Sequence, residues 1–282
     1  MKVVGSITDV RTSLAAERAA DRVIGLVPTM GALHEGHLSL VRAAREEAEV
    51  VVVSVFVNPL QFGPNEDFEA YPRDGARDME LLRSCGVDIV FTPPPEEMYP
   101  AGRTTTVRVG GISEVLEGAA RPGHFDGVAT VVAKLFNIVM PDVAFFGQKD
   151  AQQVAVIRRM VIDLDFDVEL TVGPIIRELD GLAMSSRNVY LSDEERRDAP
   201  VIYRALVKGA EVVRATADPG AAEALMRGEL ATVPALTVEY AAACDPHDFG
   251  PPRTGRPVLL AIAARLGRTR LIDNFLLNDE ET

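Results

Sequence analysis

Residues 23–57 read VIGLVPTMGALHEGHLSLVRAAREEAEVVVVSVFV, with two apolar runs on either side of an amphipathic segment. The runs at 23–27 and 50–57 are continuous, which is typical of parallel strands buried on both faces. Between them, residues 36–49 carry apolar side chains at three- and four-residue spacings with charges opposite, which predicts a helix. Strand, helix and strand in this order predict one unit of a doubly wound sheet.

The same alternation continues along the chain. Further apolar runs at 87–91 and 143–146 predict strands, and amphipathic patterns predict helices at 74–85, 128–139 and 150–164. We therefore predict an α/β fold with a Rossmann-like, doubly wound parallel sheet.

The pattern changes near residues 172–177. Long helical patterns follow at 193–217 and 221–231, and after them come three apolar segments, LTVEYAAACD, PVLLAIAARL and TRLIDNFLL. These segments predict a small mixed or antiparallel sheet packed against the helices. We place a domain boundary near Ile175, which gives a first domain at 1–175 and a smaller C-terminal α+β domain at 176–282.

Composition and charge restrict the classes of function. The chain has 282 residues, 47% of them hydrophobic, and a formal net charge of -13. This charge repels nucleic acid and anionic membranes, so an acidic substrate needs local positive charge. The amino terminus has no signal-peptide core, and no apolar run reaches the length of a membrane span. Cys85 and Cys244 fit neither C-x-x-C nor zinc-ligand spacing, so we expect reduced, structural thiols in a cytoplasmic enzyme.

The strongest local signal joins the first strand to the first helix. In PTMGALHEGHLSLVRAA, residues 28–44, His34 and His37 lie three residues apart where the helix begins, and Gly36 permits close approach of a ligand. A helix amino terminus offers free N–H groups and partial positive charge, which favour phosphate. This stretch therefore predicts a nucleotide site. A zinc site is the alternative, but a third ligand is not in view.

A second strand-to-helix junction supplies a cation. In FFGQKDAQQVAVIRRM, residues 145–160, the strand ends at Gly147 and Lys149 follows it. Asp150 can cap the helix, and Gln153 is a plausible substrate contact near the carboxyl end of a strand. Lys149 as a solvated surface charge and Asp150 as a mere cap are the structural alternatives.

Two loops complete the candidate site. In LAMSSRNVYLS, residues 182–192, Ser185, Ser186 and Arg187 can bind phosphate oxygens, while Ser192 can equally cap the next helix. In SVFVNPLQFGPNEDFEAYPRD, residues 54–74, the amides of Asn58 and Gln61 suit a small polar acid, although Asn58 could merely start a turn. Residues 63–77 are long enough to be either a lid or a passive surface loop.

Six motifs in order resemble the pantothenate synthetase (pantoate–β-alanine ligase) family over nearly the whole chain: MGALHEGHLSL, FVNPLQF, YPRD, RPGHFDGVATVV, FFGQKD and AMSSRN. The H-x-G-H element at 34–37 is similar to the adenylyl-transfer signature of class I aminoacyl-tRNA synthetases and cytidylyltransferases. The resemblance implies that pantoate, β-alanine and ATP give pantothenate, AMP and pyrophosphate through a pantoyl adenylate. It also implies a requirement for Mg2+ and a homodimer.

The resemblance further implies roles for individual residues. His37 matches the family's catalytic proton donor, Gln61 and Gln153 would hold pantoate, and Asp78 is a candidate for contact with the metal. Tyr71, Arg121 and His124 match further pocket motifs without a defined role. Two departures are Gln148, where Glu is expected, and Ala151, where an aromatic residue is common. ATP would be lined by Met30, Gly31, Ala32, Leu33, His34, Glu35, Gly36, His37, Gly147, Gln148, Lys149, Asp150, Ile176, Met184, Ser185, Ser186 and Arg187.

The charged and polar residues of these motifs indicate a mechanism, and alternative functions remain to be compared with it. We expect His34, His37, Lys149, Ser186 and Arg187 to stabilise charge that develops on the phosphates. The proton lost by β-alanine could go to a basic group, to phosphate or to water. The rival functions are another nucleotidyltransferase, and an RNA-binding or nucleotide-sensing module without turnover. The acidic charge argues against RNA.

Overall fold

A parallel sheet forms the centre of the protein. The structure, a computed structural model, describes residues 1–64 and 66–277. Within them lies a six-stranded sheet, in which every pairing is parallel, in the order β1-β4-β3-β2-β5-β6. The strands are β1 (Lys2–Val4), β2 (Ile24–Thr29), β3 (Val50–Val55), β4 (Ile89–Phe91), β5 (Val143–Gly147) and β6 (Glu169–Gly173).

Helices cover both faces of this sheet, as the continuous apolar strands require. On one face α1 (Ile7–Ala19), α6 (His124–Val139) and α7 (Ala151–Asp163) pack against side chains such as Val50 and Val52. On the other, α2 (Glu35–Glu47) and α3 (Gly75–Ser84) pack against Val51 and Val53. Two short helices, α4 (Pro95–Met98) and α5 (Glu117–Ala120), lie in the long connection before α6.

The C-terminal part is a three-stranded antiparallel sheet backed by helices. It contains α8 (Asp193–Asp198), α9 (Val201–Thr216), α10 (Pro219–Leu230), β7 (Leu236–Cys244), β8 (Val258–Leu266) and β9 (Thr269–Leu277). The apolar faces of α9 and α10 and one face of the sheet form a separate hydrophobic cluster. The predicted α/β fold with a smaller α+β domain is therefore confirmed, while the boundary near Ile175 stays a prediction.

Several local predictions were wrong. The elements β1, α1 and β6 were not predicted: β1 has only three residues, and β6 is an edge strand whose residues alternate between polar and apolar. The helix predicted at 193–217 is interrupted at Ala199 and Pro200, since proline has no N–H to continue the hydrogen-bond ladder. Residues Gly75 to Arg77 were predicted both as the end of a loop and as part of a helix at 74–85, and they belong to the helix α3.

Among the described residues, none of the helices combines the length and the apolar character that crossing a bilayer requires.

Candidate active site

The carboxyl ends of β2, β3 and β5 open into a cleft. Fifteen of the residues predicted to bind ATP or pantoate line it: Met30, His34, Gly36, His37, Asn58, Gln61, Gly147, Lys149, Asp150, Gln153, Ile176, Met184, Ser185, Ser186 and Arg187. Tyr71, Arg121 and His124, which match further pocket motifs, line it as well. Six others do not line it: Gly31, Ala32, Leu33, Glu35, Gln148 and Asp78. The cleft therefore gathers groups from four separate sequence motifs.

A tight turn follows β2 and is held by a buried carboxylate. Gly31 and Ala32 both have positive φ values, 84° and 49°. This turn directs the N–H groups of Ala32 and Leu33 at Asp78, whose two oxygens accept them at 2.9 and 2.8 Å. Asp78 is 2% exposed, so the structure gives it a role in holding the turn, where a metal contact was predicted.

The start of α2 also differs from the prediction of free N–H groups. The His34 Nδ1 accepts the Gly36 N–H at 3.2 Å, and the His37 Nδ1 accepts the His34 N–H at 3.4 Å. A Cβ on residue 36 would lie 3.0 Å from the His34 ring, which explains the glycine. Two of the expected backbone donors are thus occupied by imidazoles.

The same contacts fix the tautomers of both histidines. Because each Nδ1 accepts a hydrogen bond, the Nε2 of each neutral ring carries the hydrogen. Burial, and then the charge of Lys149, lowers the pKa of His34 to about 4. Burial, with smaller effects of His34 and Lys149, lowers the pKa of His37 to about 3. At neutral pH both rings therefore act as hydrogen-bond donors and not as imidazolium acids.

Lys149 lies in a 3-10 turn between β5 and α7, Gln148–Asp150. Its ammonium group forms no hydrogen bond or ion pair with any other residue in 1–64 or 66–277, and it lines the cleft. Asp150 is the residue before α7, but its side chain makes no capping hydrogen bond, contrary to the prediction. The Gln148 side chain turns away from the cleft and donates to Asn274 Oδ1 at 3.1 Å.

The predicted phosphate-binding loop is a 3-10 turn, Ser186–Tyr190. Ser186 Oγ donates to the Ala32 carbonyl at 3.0 Å, which joins this loop to the turn after β2. Ser185 accepts the Arg187 N–H at 3.3 Å. The Arg187 guanidinium is bound by Asp67, a residue that the sequence analysis did not select. Ser192 caps α8 in a capping box, which was one of its two interpretations.

The amide side chains divide into structural and cleft-facing groups. Asn58 is 1% exposed, and its Nδ2 donates to Gln61 Oε1 and to the Gly127 carbonyl. Its Oδ1 accepts from Tyr99 and from the Leu60 N–H, so Asn58 holds Gln61 in place and has little capacity left for a substrate.

Adjacent glutamines on α7 show the same division. Gln152 is buried and bonds three backbone groups, at residues 112, 115 and 117. Gln153 lines the cleft, and its amide has no hydrogen-bond partner in the described part of the chain. Gln153 is thus the glutamine available to a substrate.

Arg121 and His124 form the floor beside Gln61. His124 Nδ1 donates to the Gln61 carbonyl at 2.8 Å, and Arg121 donates to the same carbonyl at 3.2 Å. Arg121 is bound by Glu66 at 2.7 and 2.6 Å. Burial and the Arg121 charge lower the pKa of His124 to about 4, so it is neutral. These contacts give Arg121 and His124 a role that the sequence motif left undefined: they hold the Gln61 carbonyl.

Other titratable groups fit structural roles. Cys85 and Cys244 are free thiols, and burial raises the pKa of Cys244 to about 12. The described residues contain no group of three or more His, Cys, Asp or Glu side chains that could hold a metal ion.

Comparisons with known proteins agree with one another. A family described as pantoate-beta-alanine ligase matches residues 2–276. The pantothenate synthetase of Moorella thermoacetica is 53% identical over 279 residues, covering 98% of this chain and 99% of that protein. That of Acidobacterium capsulatum is 57% identical over 269 residues, covering 94% and 90%.

Solved structures are similar over the same length. Pantothenate synthetase from Thermus thermophilus matches with a TM-score of 0.92 and 49% identity, covering 98% of this chain and 99% of that chain. The Francisella tularensis pantoate-beta-alanine ligase, solved with beta-gamma ATP and beta-alanine, matches with a TM-score of 0.81 and 33% identity, covering 100% and 99%.

Proposed function

This chain belongs to the pantoate-beta-alanine ligase family and is an ATP-dependent ligase that condenses pantoate with β-alanine, and from this premise we propose how its cleft performs the reaction. ATP binds along the turn after β2, the Lys149 turn and the Ser185 to Arg187 loop. Pantoate binds beside it, at Gln61 and Gln153. The observation that carries this proposal is their convergence: one cavity is lined by an ammonium without an ion pair among the described residues, two neutral imidazoles and cleft-facing amides.

The first step makes the acid reactive. A pantoate carboxylate oxygen attacks the α-phosphorus of ATP, the bond to the β-phosphate oxygen breaks, and pyrophosphate leaves with the electron pair. The product is pantoyl adenylate. The Lys149 ammonium and the Nε2–H groups of His34 and His37 stabilise the negative charge on the phosphates, which is the main task in such a transfer.

The second step uses the activated acid. The β-alanine amine attacks the acyl carbon of the adenylate, AMP leaves, and the nitrogen loses a proton as the amide of pantothenate forms. Gln61 and Gln153 bind the pantoyl group through neutral amides, so they orient it without adding charge next to the phosphates.

The proposal includes Mg2+ as part of the MgATP substrate. Mg2+ prefers phosphate oxygens with one or two carboxylates, and Asp150 presents a carboxylate to the cleft beside Lys149. The cation would neutralise phosphate charge. Asp78 is the weaker candidate, because both of its oxygens bind backbone N–H groups.

Assembly and location complete the proposal. We propose a homodimer, as the family resemblance implies, which light scattering of the purified chain would test. We propose a cytoplasmic location, for which the two free thiols and the buried state of Cys244 are the support, since reduced cysteines are usual there.

The decisive experiment separates the half-reactions. Enzyme, MgATP and pantoate without β-alanine should exchange labelled pyrophosphate into ATP, and adding β-alanine should give pantothenate and AMP. Exchange that required β-alanine, or ADP and phosphate as products, would rule out the adenylate. Exchange with another acid in place of pantoate would favour the rival, a different nucleotidyltransferase.

A further inference from the structure

The turn that carries Lys149 is held from the C-terminal sheet by one residue. Asn274 lies on β9 and is 4% exposed. Its Nδ2 donates to the carbonyls of Gln148 and Lys149, both at 3.0 Å. Its Oδ1 accepts the Gln148 side-chain amide at 3.1 Å. One amide thus binds the main chain of two consecutive residues at the centre of the turn.

Asn274 is itself fixed by a buried ion pair. Its N–H donates to Asp273 Oδ1 at 2.8 Å, and Asp273 is bound by Arg177 at 2.6 and 3.0 Å. The Arg177 guanidinium also lies 4.1 Å from the Tyr203 ring centroid, on α9. Because Arg177 lies in the connection between β6 and Ser185, this ion pair ties β9 to the second phosphate-binding loop as well.

Within residues 1–64 and 66–277, no side chain forms a hydrogen bond or an ion pair with the Lys149 ammonium. Because the side chain of lysine is flexible, the backbone position of residue 149 is what limits the region that this ammonium can reach. The Asn274 hydrogen bonds fix the peptide groups on both sides of the Lys149 Cα. By fixing the backbone of residue 149, the Asn274 side-chain amide therefore limits the positions that the Lys149 ammonium can reach.

We infer that Asn274 is a positioning residue for Lys149: through two carbonyls of the Gln148 to Asp150 turn, the C-terminal sheet places the cation that neutralises the phosphates. This inference rests on the role proposed above for Lys149. It differs from a purely structural role, in which the same contacts would only join the two domains and loss of Asn274 would lower stability alone.

A double-mutant cycle tests the inference in the full-length chain. A displacement of about 1 Å at a reacting group can cost on the order of a hundredfold in rate. We therefore expect Asn274→Ala to lower kcat by roughly tenfold to a hundredfold, with the KM for pantoate within about twofold of the wild type. If Asn274 acts through Lys149, Asn274→Ala adds no further loss in the Lys149→Ala background.

Two further variants serve as a control and as a substitute for Asn274→Ala. Asn137→Ala is a control away from the cleft: the exposed Asn137 amide donates to the Ala133 carbonyl within α6, and kcat should be unchanged. Asn274→Asp keeps the side-chain shape while removing both N–H donors, and it should reproduce the loss in kcat if the alanine variant does not fold.

If the losses in kcat caused by Asn274→Ala and Lys149→Ala multiply in the double variant, the two residues act independently. This result would overturn the inference and leave the role of Lys149 intact. Wild-type kcat in a folded Asn274→Asp variant would also overturn it. A fully active Lys149→Ala enzyme would overturn the inference together with the proposed role of Lys149.

Discussion

Asp67 and Arg187 form a two-point ion pair at the edge of the cleft, with Nε and Nη2 of the guanidinium donating to the two carboxylate oxygens at 2.9 and 2.8 Å. Arg187 belongs to the predicted phosphate-binding loop. The edge of its guanidinium that Asp67 occupies is well suited to binding two phosphate oxygens. On the proposed role of Arg187, the phosphates of ATP would therefore compete with a carboxylate of the chain itself.

Neutralising Asp67 should tighten nucleotide binding. In Asp67→Asn the guanidinium loses its charged partner, and the Kd for a non-hydrolysable MgATP analogue, measured by calorimetry, should fall about threefold to tenfold, or by roughly 1 kcal/mol. Glu69→Gln is the control, since it removes one charge from the same segment without an ion pair in the described residues. Weaker binding in Asp67→Asn would show that Asp67 orients Arg187 and does not compete.

The adjacent glutamines of α7 should separate substrate binding from stability. Gln153→Ala should raise the KM for pantoate by roughly tenfold while changing that for ATP little, because a lost hydrogen bond to a charged substrate is worth about 1.5–3 kcal/mol. Gln152→Ala should instead lower the free energy of unfolding, since three backbone groups lose their partner. Steady-state kinetics and urea unfolding of both variants give the comparison, and equal effects on the two KM values would remove Gln153 from the pantoate site.

Local sequence patterns sufficed for most of the fold. Strand ends, glycines and the first residues of helices are specified by neighbours a few positions away, so the motifs around His34, Lys149 and Arg187 could be placed at one edge of the sheet. The failures were also local: a three-residue strand has too few residues for a pattern, and the edge strand Glu169–Gly173 alternates where a buried strand would not.

The contacts that complete the site were beyond a single sequence. Asp67 lies 120 positions from Arg187, and Asn274 lies 125 from Lys149. No spacing rule connects such residues, and only the folded chain brings them together. One signal was available: Asp273 and Asn274 interrupt the apolar segment TRLIDNFLL, and buried polar residues in a strand need partners. The predicted free N–H groups failed for a local reason, since the His34 and His37 imidazoles of the same motif accept hydrogen bonds from the Gly36 and His34 N–H groups.

Three histidines with lowered pKa values should make stability depend on pH above the range in which carboxylates titrate. The lowered pKa values of His34, His37 and His124, about 4, 3 and 4, mean that the unfolded chain takes up protons first as the pH falls below 6.5. Their contribution is complete above that value and is lost as the pH falls toward 4. The free energy of unfolding, measured with urea, should decrease as the pH falls from about 7 to 5. His37→Gln should make this dependence on pH less steep. His247→Gln, at an exposed histidine, is the control. An unchanged slope in His37→Gln would contradict the prediction.

Asp78 should behave as a structural residue. Asp78→Ala leaves the N–H groups of Ala32 and Leu33 without their acceptor, and a buried unsatisfied group costs about 1–3 kcal/mol. We expect a lower free energy of unfolding and an unchanged dependence of rate on Mg2+ concentration, with Asp150→Ala as the comparison in which the Mg2+ dependence should shift. A folded, fully stable Asp78→Ala enzyme that needs more Mg2+ would restore Asp78 as a metal contact.

Glu117 is the centre of the ionic contact between α5 and the C-terminal sheet. It is 5% exposed and accepts hydrogen bonds from Arg270 at 2.6 and 2.8 Å, from Tyr240 at 3.1 Å and from Arg121 at 3.3 Å. Although burial alone would raise it, the hydrogen bonds and charge of Arg270 hold the pKa of Glu117 at about 2. Glu117 therefore stabilises the fold above the unfolded pKa of 4.5, and this stabilisation is lost as the pH falls toward 2.

Of the substitutions discussed above, removal of the Glu117 carboxylate should lower the free energy of unfolding the most. Glu117→Gln leaves the Arg270 charge buried without its main partner, and breaking one side of a buried pair costs about 3–5 kcal/mol. Because the cost arises from the uncompensated charge, adding Arg270→Met should recover part of it, so the double variant should be more stable than Glu117→Gln alone. Asp163→Asn, in the exposed pair with Arg159, is the control and should show no measurable loss. A double variant less stable than Glu117→Gln would mean that Arg270 stabilises the sheet through Glu239, its other carboxylate partner.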